Sequence, residues 1–208
     1  MELPVVNHKD YVAKIGDDHK FPINKFGELA KYLIDRKVIK KFYTPVACSF
    51  ETLNRAHSKN YINDIKNKTL DSKLQKKIGF PINDSVVRRS FVATGGTVLA
   101  SKLALDYKLA CNTAGGSHHA NFDSGAGYCV FNDVAGYLIC ASRLAFNENP
   151  TKIFCDLKYV NGIDISGNMY MKFSNKTAIC SFSYENYFQS SYNISGEKGI
   201  IEVERAFN

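Results

Sequence analysis

No two of the six cysteines (Cys48, Cys111, Cys129, Cys140, Cys155 and Cys180) form a C-x-x-C pair. This excludes a paired-cysteine redox or zinc motif. Most of the cysteines sit inside apolar runs, as small buried hydrophobes of a reducing compartment do. Arginine is scarce, with 6 residues against 21 lysines, so the net charge of +7 comes mainly from scattered lysines. The planar guanidinium is the usual reader of phosphates and bases, and its shortage argues for a solubilising surface over specific nucleic-acid binding. Long apolar runs are missing as well. The start, MELPVVNHKD, has no basic stretch leading into an apolar one, and Arg143 interrupts AGYLICASRLAF. Neither a signal peptide nor a membrane span is expected, and the expected location is the cytoplasm. There is also no internal repeat, P-loop, dinucleotide fingerprint, H-E-x-x-H pair or EF-hand loop.

What is present is ordinary for a globular protein: 208 residues, 45% hydrophobic and 23% charged, enough to bury one core. A single domain over residues 1–208 is expected. Asn24 can cap a helix carrying Phe26, Leu29, Tyr32 and Leu33 to about Lys37. SFETLNRAH and SKNYINDIK read as short helices starting at Ser49, with Thr52 as a competing start, and at Ser58. His57 and Tyr61, four apart, would share a face as packing or a buried hydrogen bond. Leu70 to Lys77 reads as a polar connection punctuated by Gly79-Phe-Pro81. Asn83 then opens a long helical pattern through Leu103, in which Gly95 and Gly96 cost propensity and imply close backbone packing.

Leu109 to Thr113 is short enough for a buried strand, and Phe131 to Phe146 returns to helical periodicity. KIFCDL (152–157) and TAICSFS (177–183) read as two further buried strands. Strands alternating with helices predict an α/β fold with a mainly parallel sheet, in which ligands gather at the carboxyl ends of strands. Three such ends, Gly115–His119, Asp156–Gly162 and Ser183–Asn186, are expected to converge on one crevice.

The densest chemistry lies in NTAGGSHHANFDSGAGYCVFND, residues 112–133. On the turn that Gly115 and Gly116 permit, His118 and His119 can face one cleft and divide acid and base roles. Taken alone, they read first as two satisfied structural histidines.

GGSHHANFDSGAGYCVFND resembles the G-G-x-H-H-A, then G-[FY]-C-x-x-N-D signature of the histone deacetylase superfamily, zinc-dependent acetyl-lysine and acetyl-polyamine amidohydrolases. The resemblance extends to His19-Lys-Phe-Pro, His57 with Tyr61, Gly79-Phe-Pro, Asp156-Leu157, and Ser181-Phe-Ser with Asn186, and looks closest to the bacterial and class IV branch. It implies an arginase-like three-layer α/β fold and an acyl-lysine tunnel with one zinc ion at its floor. By position, His118 and His119 would handle protons, Asp156 would orient one of them, and Gly127 and Tyr128 would line the tunnel.

The family's D-L-D-x-H-x-G strand end here reads Asp156-Leu157-Lys158-Tyr159-Val160-Asn161-Gly162. Lys158 replaces a carboxylate ligand with an ammonium, and Val160 replaces an imidazole with a side chain that has no lone pair. Ile163 stands where a polar partner of the second histidine is usual, with Asp164 one place displaced, and Tyr184 stands where a histidine often follows. The third ligand and an oxyanion tyrosine would fall after residue 208. The expectation is a C-terminally truncated, inactive member that has lost the zinc, its histidines and Asp156 being vestigial. The alternatives are a non-catalytic acyl-lysine- or partner-binding module, and a residual metal-independent amidohydrolase with Lys158 as a fixed positive charge in place of zinc and His119 as base. An uncovered sheet edge would favour homo-oligomers or a complementing chain. The lysine and asparagine content suits an AT-rich bacterial genome.

Overall fold

The computed structural model describes residues 3–134, 146, 148, 150–160, 163–183, 192–196 and 199–203. The chain forms two compact units, Met1–Ala145 and Phe146–Asn208.

In the first unit, strand β1 (Val5–Val6) pairs in parallel with β2 (Cys111–Asn112), and Val6 also bridges Tyr43 in parallel. Among the described residues, a 3-10 turn (Lys9–Tyr11) and five α-helices follow β1: α1 (Lys25–Asp35), α2 (Phe50–Leu53), α3 (Lys59–Asn67), α4 (Ser72–Ile78) and α5 (Asp84–Tyr107). Their starts are set locally, because an N-cap oxygen satisfies an amide that the helix leaves without a partner. Ser49 accepts from Thr52 N–H, Ser58 from Tyr61 N–H, and Asn83 from Val86 N–H at 2.9 Å. Asn24 flanks α1 as expected, but its side chain makes no capping bond.

Helix α4 occupies the stretch read as a polar connection. Asp71 caps it and Gly79, at φ +81°, ends it in the left-handed conformation that glycine adopts without strain. Leu70, Leu74 and Ile78 recur every four residues and pack on the core with Ile62, Ile65, Leu53, Val86 and Phe131.

Gly95 and Gly96 have the predicted use. A Cβ on Gly95 would lie 2.0 Å from the Val46 carbonyl oxygen, and one on Gly96 would lie 2.0 Å from the Tyr11 hydroxyl. The backbone at Cys48 is tied to α5 by its N–H, which donates to Phe91 O at 2.8 Å. His57 and Tyr61 are both buried with rings 5.6 Å apart, as packing plus hydrogen bonding requires.

Several expectations are corrected. β2 is a two-residue strand, with Leu109 and Cys111 exposed, because it sits at the margin of a very small parallel sheet. Cys48 and Cys129 are buried as expected, whereas Cys155, like Cys111, is exposed. Residues 135–145, most of the helical pattern expected over 131–146, lie outside the described residues. No helix among the described residues is long and apolar enough to cross a membrane.

The second unit departs most from the sequence reading. KIFCDL and TAICSFS are strands, β3 (Lys152–Val160) and β5 (Thr177–Ser183), but both pair antiparallel with a central β4 (Ile163–Lys172) that the sequence reading missed. A parallel return needs a crossover of roughly a dozen residues, and only Asn161-Gly162 separates β3 from β4. Asn-Gly is the dipeptide most suited to a hairpin. A second antiparallel pair joins β6 (Tyr192–Gly196) to β7 (Gly199–Val203). Ile153 and Phe154 are exposed, so β3 is not the buried strand expected.

Candidate functional site

The chain leaving β2 is held close to α5 before it reaches the histidines. Asn112 accepts from the Tyr11 hydroxyl at 2.9 Å and donates to Ala93 O and to Thr97 Oγ1. Gly116 takes φ +93°, and His118 Nδ1 lies 2.8 Å from Gly116 O. A carbonyl only accepts, so this nitrogen carries a proton. The His118 and His119 rings lie 4.1 Å apart at 45°, and both residues are exposed. The structure therefore brings the expected pair together on an accessible turn.

Asn132 and Asp133, the Asn-Asp pair that ends the signature stretch, hold this turn. Asn132 Nδ2 donates to the carbonyls of His118 and Ala120, and its backbone N–H donates to His57 Nε2 at 2.8 Å. Asp133 Oδ2 accepts from Thr97 Oγ1 at 2.8 Å and Gly116 N–H at 3.2 Å, while Asp133 N–H donates to Ser117 O. Burial raises the Asp133 carboxyl from 3.8 to about 6, against the lowering effect of these bonds and of Arg89. Burial lowers His57 from 6.5 to about 4, although the Asn121 and Phe122 carbonyls favour its charged form. Desolvation likewise raises the Tyr61 and Tyr11 hydroxyls and lowers Arg89, whose Nε donates to Tyr11 O at 3.0 Å. The only sequence signals for these buried polar groups were the Asn-Asp pair itself and an arginine in the apolar pattern of α5.

Gly127 and Tyr128, at φ +53° and +66°, form a two-residue turn closed by reciprocal bonds between Ala126 and Cys129. Two consecutive positive φ values match the type I′ turn. The His119 ring lies on Gly127, whose added Cβ would be 3.2 Å from His119 Cδ2. The Tyr128 ring packs with Phe21 at 5.0 Å, Phe80 at 5.3 Å and His19 at 5.9 Å. His19 Nε2 donates to Gly79 O at 2.7 Å, fixing this aromatic wall beside the histidine pair. Gly127→Ala is expected to cost roughly 1–2 kcal/mol through its left-handed backbone and to shift the His119 ring resonances. Urea denaturation and the His119 Hδ2 signal in NMR measure the two effects.

Asp156 is in the second unit, exposed within β3 opposite Asn168. It lies inside an antiparallel ladder and not at the end of a parallel strand; residues 184–186 lie outside the described residues. Lys158 is exposed as well. Asp164 pairs with Tyr159 in β4. Among the described residues, no group of three or more His, Cys, Asp or Glu is placed to hold a metal ion. An ammonium at 158 and an aliphatic side chain at 160 are the wrong donors for zinc. The residues at this strand do not fit that ion.

An uncharacterized protein of Picosynechococcus sp. is 42% identical over 137 residues, covering 65% of this chain and 46% of its own length. Histone deacetylase 2 of Arabidopsis thaliana is 29% identical over 133 residues, 56% of this chain and 32% of its own. The chain thus spans less than half the length of these relatives. The solved HDA15 HD domain superposes with a TM-score of 0.58 at 12% identity, covering 69% of this chain and 43% of that one, a likeness of fold. The sequence model of the histone deacetylase domain matches residues 19–157, ending at the residue before Lys158. That match takes in the histidine turn, the Gly127-Tyr128 turn and the Asn-Asp pair, about two thirds of the chain, and on it the chain belongs to the histone deacetylase family.

Proposed function

We propose that this chain is a non-hydrolytic member of the family whose histidine-bearing face serves as a binding surface for an acyl-lysine side chain. The family reaction is zinc-dependent hydrolysis of an acetyl-lysine or similar amide. The observation that carries the proposal is the replacement of two metal donors by Lys158 and Val160, directly after a stretch that keeps the family pattern. Without a Lewis acid the amide carbonyl is not polarised and water is not activated. The aromatic wall of Phe21, Phe80 and Tyr128 beside His118 and His119 favours continued binding over a bare remnant.

The test combines three measurements on the purified chain: zinc content, turnover of an acetyl-lysine peptide with added zinc or chelator, and peptide binding followed by amide shifts. Substoichiometric zinc, no turnover above buffer, and shifts centred on residues 115–133 are expected. Chelator-sensitive turnover that disappears in His119→Ala would overturn the non-hydrolytic reading. An unchanged amide spectrum at millimolar peptide would overturn the binding reading.

A further inference from the structure

The β3-β4-β5 sheet has an outward face whose composition does not suit water. In the antiparallel register, Phe154 stands opposite Tyr170 and Tyr170 opposite Ile179, forming one row across all three strands. These side chains are 60%, 40% and 61% exposed. Alternation places Ile153, Met171 and Ala178 on the other face, where Met171 on the central strand is fully buried while Ile153 on the edge strand is 41% exposed. An antiparallel sheet with one covered face normally presents polar residues on the other. Cross-strand pairing alone accounts for individual contacts within the row, but not for a continuous apolar stripe open to solvent, which is a usual mark of an interaction surface.

The rows on either side of the stripe differ in charge. On one side lie Lys152, Lys172 and Thr177, and on the other lie Asp156, Asn168 and Ser181, where Ser181 Oγ donates to Asn168 Oδ1 at 2.6 Å. We propose that this face binds the same face of a second copy of the chain, the two sheets packing about a two-fold axis that runs along the Phe154-Tyr170-Ile179 row, across the strands.

The charges select that axis. Rotation about it lays each apolar residue on its own counterpart and sets Lys152 against Asp156 of the second copy, twice, with Lys172 against Asn168 and Thr177 against Ser181. A two-fold axis along the strands would instead set Lys172 against Lys172 at the centre, a like-charge contact that costs binding. Sheets packed face to face in this way bury the apolar row between them with strands close to aligned. A two-fold contact is self-complementary by construction, so one patch suffices. The proposal is independent of any acyl-lysine binding, because it uses only the outward face of this sheet.

Sedimentation equilibrium of the full chain tests it, with far-UV circular dichroism to check that each variant keeps its fold. The wild type is expected to form a concentration-dependent dimer. Ile179→Lys is expected to weaken the dimer at least tenfold. Lys152→Asp and Asp156→Lys, each setting like charges against each other, are also each expected to weaken it at least tenfold, and the double swap is expected to restore it to within a few-fold of wild type. These surface positions tolerate polar side chains, so dissociation without loss of circular dichroism reads the interface itself. A wild type that stays monomeric at all concentrations, a dimer indifferent to Ile179→Lys, or a double swap no tighter than the singles would overturn the proposal. Association only with a different, acidic partner would overturn it too.

Discussion

Asp133→Asn is expected to make the protein acid-sensitive between pH 6.5 and 4, a range in which the wild type should respond little. The reason is two buried groups titrating in opposite senses. Asp133 is raised from 3.8 to about 6, so between those values the folded protein holds a proton that the unfolded chain has released. Its contribution to stability therefore grows on acidification and is lost as pH rises through about 6. His57 is lowered from 6.5 to about 4, so in that range the unfolded chain holds the extra proton, and stability is lost as pH falls. Each displacement corresponds to roughly 3 kcal/mol over its range, and the two nearly cancel between about pH 4 and 6. Removing the Asp133 titration leaves His57 unopposed, with a fall of roughly 3 kcal/mol from pH 6.5 to 4. His57→Asn, whose side-chain oxygen can still accept the Asn132 N–H, should show the reverse slope and gain stability on acidification. Urea denaturation at half-unit pH steps measures both slopes. Parallel profiles for wild type and both variants would show that neither group titrates as its burial requires.

Gly95→Ala is expected to lower stability by about 3 kcal/mol or more, although helix propensity alone argues for a gain of about 1 kcal/mol. The added Cβ would lie 2.0 Å from Val46 O and 3.0 Å from Cys48 N, both backbone atoms. A side chain could rotate away. This backbone cannot, because Cys48 N–H is bonded to Phe91 O on the same helix. Relief would require parting α5 from the chain at 46–48. Gly27→Ala in α1 is the control: its Cβ would meet only the Val12 Cγ2 methyl, at 3.2 Å, so its effect should stay within about 1 kcal/mol. Equilibrium unfolding of the two variants separates the readings, since equal midpoints would mean that propensity governs both sites.

Features that depend on neighbours in the chain were legible. The Ser49, Ser58 and Asn83 caps each bond an amide three residues on, and the extent of β5 follows the apolar run TAICSFS. Two local signals were present but overridden. The Leu70, Leu74 and Ile78 spacing marked α4, yet the lysines between made the stretch look like a connection. Asn161-Gly162 is a dipeptide suited to a hairpin, yet the same two residues end the stretch 156–162 that resembles a family strand-end motif, for which a parallel strand is expected. The roles of Asp133, Asn132 and Arg89 were not legible. Their partners, Thr97, His118 and Tyr11, lie 36, 14 and 78 residues away in the chain.

The sequence by itself determined the family, through the histidine and Gly-Tyr-Cys motifs, and the donor chemistry at 158 and 160, because a lysine or valine side chain has the same donors in any fold. Only the tertiary structure decided that Asp133 and His57 are 1% and 0% exposed, and so titrate far from their ordinary values. It alone decided that β3 runs antiparallel with an apolar row turned to solvent. Desolvation is a sum over everything packed around a group, and strand direction is settled by the partner with which the backbone pairs. Neither quantity exists until residues distant in the chain have met.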